Sequence, residues 1–420
     1  MKAKKCLLAM VSSLLLSGLS VFTANAQEQV NLELLNIKVE TRQQLEDLVK
    51  YYSEQNPNVH INVTTVGGSS DPKAALQAQF ASGNEPHIFF SNGLSDTQMW
   101  QHTLADLSDL DIVQYVAAGS LDGATIDGKI YGIPNNMEGT TLIINKEIFD
   151  KAGIKPEEIK SFEDFKGAVE TLDSKKDELG IEAPIAFAGR EAEIIGQWGT
   201  HFLSPEFENS TAKAFNSDKL EYKFGETFKA YADLFNQYGV QPINSVDYSA
   251  MVEDYFANEK VAMISNGNWI VPTLDSIDPE FRNKLGVLPY FVADKAAVTA
   301  SNGWYWTVNS NKSDTEIAEA KKFLNWMYSD ETAMKRLVED FNYIPAYTNF
   351  DKDIVAGMDN VSKGMYDYVQ SGNNTVWVDS SFPDGWGANS LGPNIQKYWD
   401  GMIEWDEVVK VTSEDWNRMR

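Results

Sequence analysis

The sequence predicts an α/β protein whose 420 residues divide into two lobes. Residues 30–93 read as strand, helix, strand, helix, strand, the order typical of an open α/β sheet. Removal of a predicted 26-residue leader from the 420 leaves nearly 400 residues, more than one hydrophobic core usually organises. Residues 126–149 (IDGKIYGIPNNMEGTTLIINKEIF) leave one apolar strand through polar side chains and enter another, which indicates a crossing between lobes.

The first half carries the clearest local signals. Residues 30–38 and 58–66 alternate apolar and polar side chains and are predicted strands, and residues 87–90 form a third. The helix that begins near Thr41 ends at Asn56-Pro57, and a second begins at Asp71-Pro72 and ends at Gly83. The first helix has one apolar face: Leu45, Leu48, Val49 and Tyr52. Ligands bind beyond the carboxyl ends of such strands, so Glu40, residues 68–69 and Asn92 should share a rim.

The second half repeats the alternation of helices and strands. Helices are predicted from residue 162, over 194–202, up to Tyr238, from Asp247 and over 315–328, and two more close the chain. Strands are predicted over 183–187, 261–264, 303–308 and 375–378. Residues 340–347 (DFNYIPAY) are a further predicted crossing.

The N-terminus has the pattern of a secretory signal peptide. Three lysines precede an apolar run over residues 7–22, and Ala24-Asn25-Ala26 forms a cleavage site, so we expect residues 1–26 to be removed. The apolar run is short and broken by serines, which disfavours a membrane anchor. The single cysteine, Cys6, precedes the apolar run and cannot be a lipidated residue, so the sequence predicts a periplasmic or secreted protein.

The chain is strongly acidic. Its formal net charge of −26 becomes −29 once the three lysines of the leader are removed. Such a charge disfavours nucleic acid and anionic lipid as partners. The mature chain would hold no cysteine, which excludes disulfides and thiolate chemistry.

Several segments, in order, resemble one family. YGIP at residues 131–134, with Glu138 and the strand after it, is typical of solute-binding proteins that serve ABC importers for carbohydrates. FANEKVAMISNGNW, at 256–269, is similar to the family's pattern before a tryptophan, and residues 303–328 resemble a later segment. The chain is identified as a member of extracellular solute-binding protein family 1, which includes the maltose-binding type. His87 stands where the family usually has aspartate.

The resemblance implies the two-lobed periplasmic-binding-protein fold (type II), with an α/β sheet and flanking helices in each lobe. It implies a first lobe of residues 27–136 and 292–340, and a second of 137–291 and 341–420. A sugar, expected to be an oligosaccharide, would bind between the lobes, and the closed form would deliver it to the transmembrane permease subunits of an ABC importer. We expect a monomer without cofactor or metal.

A sugar site needs aromatic platforms for the C–H faces and polar side chains for the hydroxyls. Aromatic residues make up 12% of the chain, including 11 tryptophans. The predicted ligand-binding residues are Trp269, Trp304, Glu138, Asn92, Asn136, Glu40, Trp377, Trp386 and Trp198. Tyr305 and Trp306 should point to opposite faces of their strand, so one of them should lie in the core.

Two alternatives remain at this point. The same fold could hold a polyamine or another cation through carboxylates and cation–π contacts, and affinity for such a ligand would depend strongly on salt. A secreted glycoside hydrolase would need two facing carboxylates, which 61 acidic residues can supply in many combinations. Other enzyme classes lack their signatures, because the four histidines are scattered and the sequence has neither a nucleophile elbow nor a P-loop.

Overall fold

The computed structural model describes residues 29–67, 72–117, 119–292 and 295–420. The predicted signal peptide, the predicted rim residues 68–69 and the predicted helix cap Asp71 lie outside them. Within these ranges the strands are β1 (Val30–Asn36), β2 (Val59–Thr65), β3 (Ile88–Asn92), β4 (Thr125–Ile126), β5 (Lys129–Ile130), β6 (Ile133–Pro134), β7 (Glu138–Asn145), β8 (Ala183–Ala186), β9 (Val261–Gly267), β10 (Leu285–Leu288), β11 (Tyr290–Val292), β12 (Lys295–Ser301), β13 (Trp304–Val308) and β14 (Asn374–Thr375).

The described α-helices alternate with these strands. They are α1 (Arg42–Gln55), α2 (Pro72–Ser82), α3 (Gly93–Trp100), α4 (Lys146–Ala152), α5 (Phe162–Ser174), α6 (Lys176–Leu179), α7 (Ala192–Trp198), α8 (Thr200–Leu203), α9 (Thr211–Asn216), α10 (Gly225–Tyr238), α11 (Val271–Ile277), α12 (Phe281–Lys284), α13 (Asp314–Met327), α14 (Glu331–Glu339), α15 (Lys352–Val355), α16 (Asn360–Gln370), α17 (Gly392–Trp399) and α18 (Trp405–Met419). Short 3₁₀ turns at Val39–Thr41, Asn268–Ile270 and Asp379–Ser381 border the site described below, and Ala250–Phe256 is a π-helical turn.

The strands form two larger sheets, one in each lobe of a two-lobed α/β fold. The first has the order β2-β1-β3-β13-β6, with β1 parallel to both β2 and β3. The second has the order β11-β12-β7-β9-β8, with β10 paired to β7 and β14 to β12. The strand–helix alternation of residues 30–93 thus builds the first sheet, as the sequence predicted.

Each sheet buries an apolar layer against its helices. The predicted apolar face of α1 (Leu45, Leu48, Val49 and Tyr52) is buried against the first sheet. In the second lobe Leu142 and Ile144 of β7 belong to the same buried apolar cluster as side chains of α5 and α10. Trp306 and Tyr305 of β13 are both buried, Trp306 stacked on Phe90 and Tyr305 packed beside Gly123 and Gly132. The sequence predicted that one of these two side chains would lie in the core, whereas the structure buries both.

Three chain crossings join the sheets side by side. The segment from β6 to β7 and the segment from β12 to β13 meet where Glu138 pairs with Ser301. The third crossing, after α14, pairs through Ile344 with Met137. Because the crossings are short and hydrogen-bonded to one another, they can act as a hinge between the lobes.

One predicted boundary differs from the strand pairing. The return to the first lobe was placed at residue 292, but β12 pairs with β7 and extends the second sheet up to Ser301. The chain makes a β11–β12 hairpin before it crosses, and an alternating strand reads the same in either lobe. We therefore assign the crossing to residues 302–303.

Candidate functional site

A cleft of about 730 Å³ lies between the lobes, beyond the carboxyl ends of β1, β2 and β3. Its volume falls within the range of about 300–1,000 Å³ that is usual for small-molecule sites. The first lobe contributes Glu40 and Trp304 to its lining, and the second contributes Trp269 and Trp377. Aromatic and carboxylate side chains of both lobes therefore face one space.

Trp269 lies where β9 ends in the 3₁₀ turn Asn268–Ile270. Its ring covers the backbone of Gly267, where a Cβ atom would lie 2.0 Å from Cζ3 of the indole. The indole Nε1 donates a hydrogen bond of 3.1 Å to Tyr248 Oη, and the ring centroid is 5.6 Å from that of Trp377. The ring is half-buried. The NGNW segment thus uses its glycine to lay an indole flat on the wall of the cleft.

Substitution of Gly267→Ala is expected to displace the Trp269 ring and to weaken ligand binding. The new methyl group would overlap the indole, which must leave the wall because the clash is with a rigid ring. We expect a shift in tryptophan emission without ligand and an affinity lower by about tenfold. Gly286→Ala, on an edge strand outside the cleft lining, is the control. Unchanged emission and affinity in Gly267→Ala would contradict this account of how Trp269 is held.

Trp304 and Asn92 lie side by side at the edge of the first sheet. Trp304 begins β13 and pairs with Asn92, the last residue of β3, so that both side chains reach the same rim. The Trp304 ring meets Phe90 edge to face at 6.2 Å, and Lys38 Nζ lies 5.7 Å from the ring centroid. Both Trp304 and Asn92 are half-buried and line the cleft.

A buried ion pair joins the lobes at the base of the cleft. The ammonium of Lys38, just after β1, contacts the carboxylate of Glu138, the first residue of β7. The side-chain amide of Asn36 bonds both the N–H and the carbonyl of Lys38 at 3.0 and 2.9 Å, which fixes the backbone that carries the lysine. A charged pair removed from water is stable only while both partners are present.

The charges of the cleft influence one another. Burial acts to lower the pKa of Lys38, but the nearby carboxylates of Glu138 and Glu40 outweigh it and raise that pKa above its ordinary value. Burial raises the pKa of Glu40, against the opposing effect of Lys38. Burial also raises the pKa of the Asp379 carboxyl to about 7, although the Trp377 indole and a backbone N–H bond to it.

Most of the predicted site residues meet in this cleft. Those lining it are Trp269, Trp304, Trp377, Glu138, Glu40 and Asn92. Sequence reasoning did not select Lys38, Tyr248, Gln197 or Glu193, which line it too, as does Asp379. Lys38 directly follows a strand at its carboxyl end, the same signal that selected Glu40, and could have been found by it.

Trp198 and Trp386 were predicted for the cleft, but the structure buries them in the second lobe. Trp198 is 3% exposed, stacks on Phe235, and donates a hydrogen bond to Tyr290 Oη. Trp386 is fully buried against Trp416 and donates to the Thr412 carbonyl. Each indole has apolar walls and a partner for its N–H, which satisfies it inside a core.

Asn136 was also predicted for the site and lies instead within the hinge. It is 3% exposed and is not part of the cleft lining. Its amide donates to the Met137 carbonyl and accepts from the Asn135 amide at 2.9 Å. Its side chain therefore stabilises the crossing backbone rather than facing the cleft.

A second cavity, of about 610 Å³, also lies between the lobes. It is separated from the first cleft where α3 approaches the turn Asp379–Ser381, and Ser380 lines both spaces. At this approach Gly93 has a φ of +68°, and a Cβ there would lie 3.1 Å from Ser380 Oγ. None of the nine predicted site residues lines the second cavity.

Two properties of the described residues bear on other functions. Among these residues, no cluster of three or more His, Cys, Asp or Glu side chains could hold a metal ion. No described helix has the length and the apolar character to span a membrane.

A family model described as bacterial extracellular solute-binding protein matches residues 47–362. This match covers about three-quarters of the chain. The chain belongs to this family of solute-binding proteins.

Two relatives of this solute-binding protein are named for the sugars that they bind. The multiple sugar-binding protein of Streptococcus mutans serotype c is 24% identical over 328 residues, which cover 74% of this chain and 73% of that protein. The melibiose/raffinose/stachyose-binding protein MelE of Bacillus subtilis is 22% identical over 388 residues, which cover 89% of this chain and 85% of that protein.

Solved structures show the same fold. A chitin oligosaccharide binding protein superposes with a TM-score of 0.75 at 21% identity, covering 93% of this chain and 99% of that one. The RafE binding protein in complex with raffinose superposes with a TM-score of 0.74 at 17% identity, covering 93% of this chain and 100% of that one. This solute-binding protein therefore has the two-lobed architecture that the sequence predicted.

Proposed function

We propose that this protein is the substrate-binding protein of an ABC importer and that it binds a sugar in the inter-lobe cleft. The observation that carries the proposal is the placement of three half-buried indoles around one cleft, Trp304 from the first lobe and Trp269 and Trp377 from the second. Flat apolar rings bordered by amides and carboxylates complement the C–H faces and hydroxyl edges of a saccharide. The names of the relatives support a sugar, and the cleft volume suits an oligosaccharide.

Binding would be coupled to closure of the lobes. A ligand that touches both lobes stabilises the closed form in proportion to its higher affinity for that form. The three crossings provide the hinge, and the Lys38–Glu138 pair lies at its base. We infer that the closed protein, as an extracytoplasmic monomer, then docks on the permease subunits and releases the sugar to them.

The first test is a titration of tryptophan fluorescence in the mature protein. A panel of mono- and oligosaccharides, with spermidine included, is expected to give a saturable change for at least one saccharide, because Trp269, Trp304 and Trp377 face the cleft. The same samples are assayed for new reducing ends, which a receptor does not produce. A response to spermidine alone would reject the sugar, and turnover of the saccharide would reject a binding role in favour of a glycoside hydrolase.

Closure is measured on the same complexes by small-angle X-ray scattering. We expect the radius of gyration to fall when the saccharide that changes the fluorescence is added, since the ligand draws the lobes together. A saccharide that saturates the fluorescence without changing the scattering curve would contradict the closure step but not sugar binding.

A further inference from the structure

The cleft carries more negative charge than its ion pair neutralises. Its lining includes the carboxylates of Glu40, Glu138, Glu193 and Asp379 but one ammonium, that of Lys38. Lys38 is paired with Glu138, and no ion pair is seen for the other three carboxylates in the described chain. A neutral saccharide can hydrogen-bond these carboxylates through its hydroxyls but does not neutralise their charge.

The uncompensated carboxylates lie on both sides of the cleft. Glu40 belongs to the first lobe and is close enough to Tyr248 of the second to help raise the pKa of that phenol. Within the second lobe, Glu193 is close enough to Asp379 to add to the effect of burial and to help raise the pKa of that carboxyl. Closure brings these like charges together and excludes water, which strengthens their repulsion. A cation placed between them would convert that repulsion into attraction.

The aromatic residues suit the same cation. Trp269 and Trp377 form one wall, and Trp304 already lies under the ammonium of Lys38 at 5.7 Å. An ammonium group over an indole face is attracted by the ring quadrupole, most strongly where water is excluded. Burial raises the pKa of both Glu40 and Asp379, with Lys38 acting against it at Glu40, and a bound ammonium would lower both pKa values.

We propose that the sugar bound in this cleft carries a free, protonated amino group, held between Glu40 and Asp379. The ligand class is an amino-sugar oligosaccharide with an unacylated amine. This inference rests on the proposed function and narrows it, since the saccharide rings would stack on the tryptophans while the ammonium meets the carboxylates.

The test compares two trisaccharides that differ only in the amine, the β-1,4 trimer of glucosamine and its fully N-acetylated counterpart. Affinities are measured by calorimetry at a pH of about 7, where an amine with an ordinary pKa of about 8 is protonated and the Asp379 carboxyl, with a pKa of about 7, is half ionised. We expect the glucosamine trimer to bind about tenfold tighter, or more, in roughly 50 mM NaCl. This preference should shrink in roughly 300 mM NaCl, because screening weakens the charge interaction and leaves the stacking intact.

Two charge-neutralising variants locate the contact. Glu40→Gln and Asp379→Asn should each reduce the ratio of the two affinities severalfold, because each removes one carboxylate from the ammonium site. Glu414→Gln, an equivalent change of an exposed residue on α18, which contributes nothing to the cleft lining, should leave the ratio unchanged.

The outcomes separate this inference from the proposed function. If the N-acetylated trimer binds as tightly as the free amine, the inference is overturned while a sugar-binding role stands. If neither trimer nor any other saccharide of the panel binds, the proposed function fails with it. Spermidine binding as tightly as the glucosamine trimer would also overturn the inference, since the sugar rings would then contribute nothing.

Discussion

Replacing Trp269 by alanine is expected to weaken saccharide binding by about 30-fold or more and to leave the fold intact. The indole is half-buried on the cleft wall, where it contacts Trp377 and bonds Tyr248 through Nε1. Its removal takes away the stacking surface, and truncation of a central aromatic residue typically costs about 2 kcal/mol or more. Calorimetric titration with the saccharide that gives the fluorescence response measures the effect.

The matched control for this variant is Trp326→Phe. Trp326 lies on α13 of the first lobe, is half-buried like Trp269, and stacks on Phe323 away from the cleft. The Trp326→Phe substitution should lower neither the affinity for the saccharide nor the ligand-induced change in tryptophan emission. An unaltered affinity in Trp269→Ala, together with an unaltered melting temperature, would show that this indole is no part of the site.

Substitution of Lys38→Met is expected to lower the free energy of unfolding by about 3–5 kcal/mol. The change leaves the Glu138 carboxylate buried without its cation and within electrostatic reach of the Glu40 carboxyl. Protonation of the stranded carboxyl would relieve the cost. The stability lost should therefore be smaller at a pH where this carboxyl can bind a proton and larger where it is ionised. Urea unfolding at about pH 5 and about pH 8 measures both effects.

Two further variants decide whether the ion pair is the cause. In Lys38→Met combined with Glu138→Gln, most of the lost stability should return, because the carboxylate that lost its direct partner is then neutral. Lys363→Met removes the lysine of an exposed pair with Asp367 and should cost about 1 kcal/mol or less. Equal losses in Lys38→Met and Lys363→Met would mean that the buried pair does not stabilise the hinge.

Local patterns predicted the fold because they depend on neighbours in the chain. The apolar face of α1, the alternation in β1 and β2 and the proline-interrupted strand before β7 each report a structure formed by adjacent residues. The NGNW segment belongs to the same class, since Gly267 and Trp269 are two residues apart and the ring rests on that glycine. The resemblance of such segments to the family selected Trp269 and Glu138, and a strand end after a glycine selected Trp304. The fold brings all three to one cleft.

The division of the tryptophans between cleft and core could not be predicted in this way. Trp377 and Trp386 both follow polar loop segments, yet one lines the cleft and the other is fully buried. An indole is stable in either place, because it gains from burial and needs one acceptor for its N–H. The acceptor for Trp386 is a carbonyl on α18, 26 residues away.

The sequence by itself determined the strand–helix alternation of residues 30–93 and the crossing after Pro134, because these follow from periodicity and local backbone chemistry. The residue types of a saccharide site came from the family resemblance. Tertiary structure alone decided that Lys38 meets Glu138 across 100 residues, and that β12 extends the second sheet before the chain returns to the first. Both depend on which distant strands come to lie side by side, and strand pairing of that kind leaves no periodic signal in the chain.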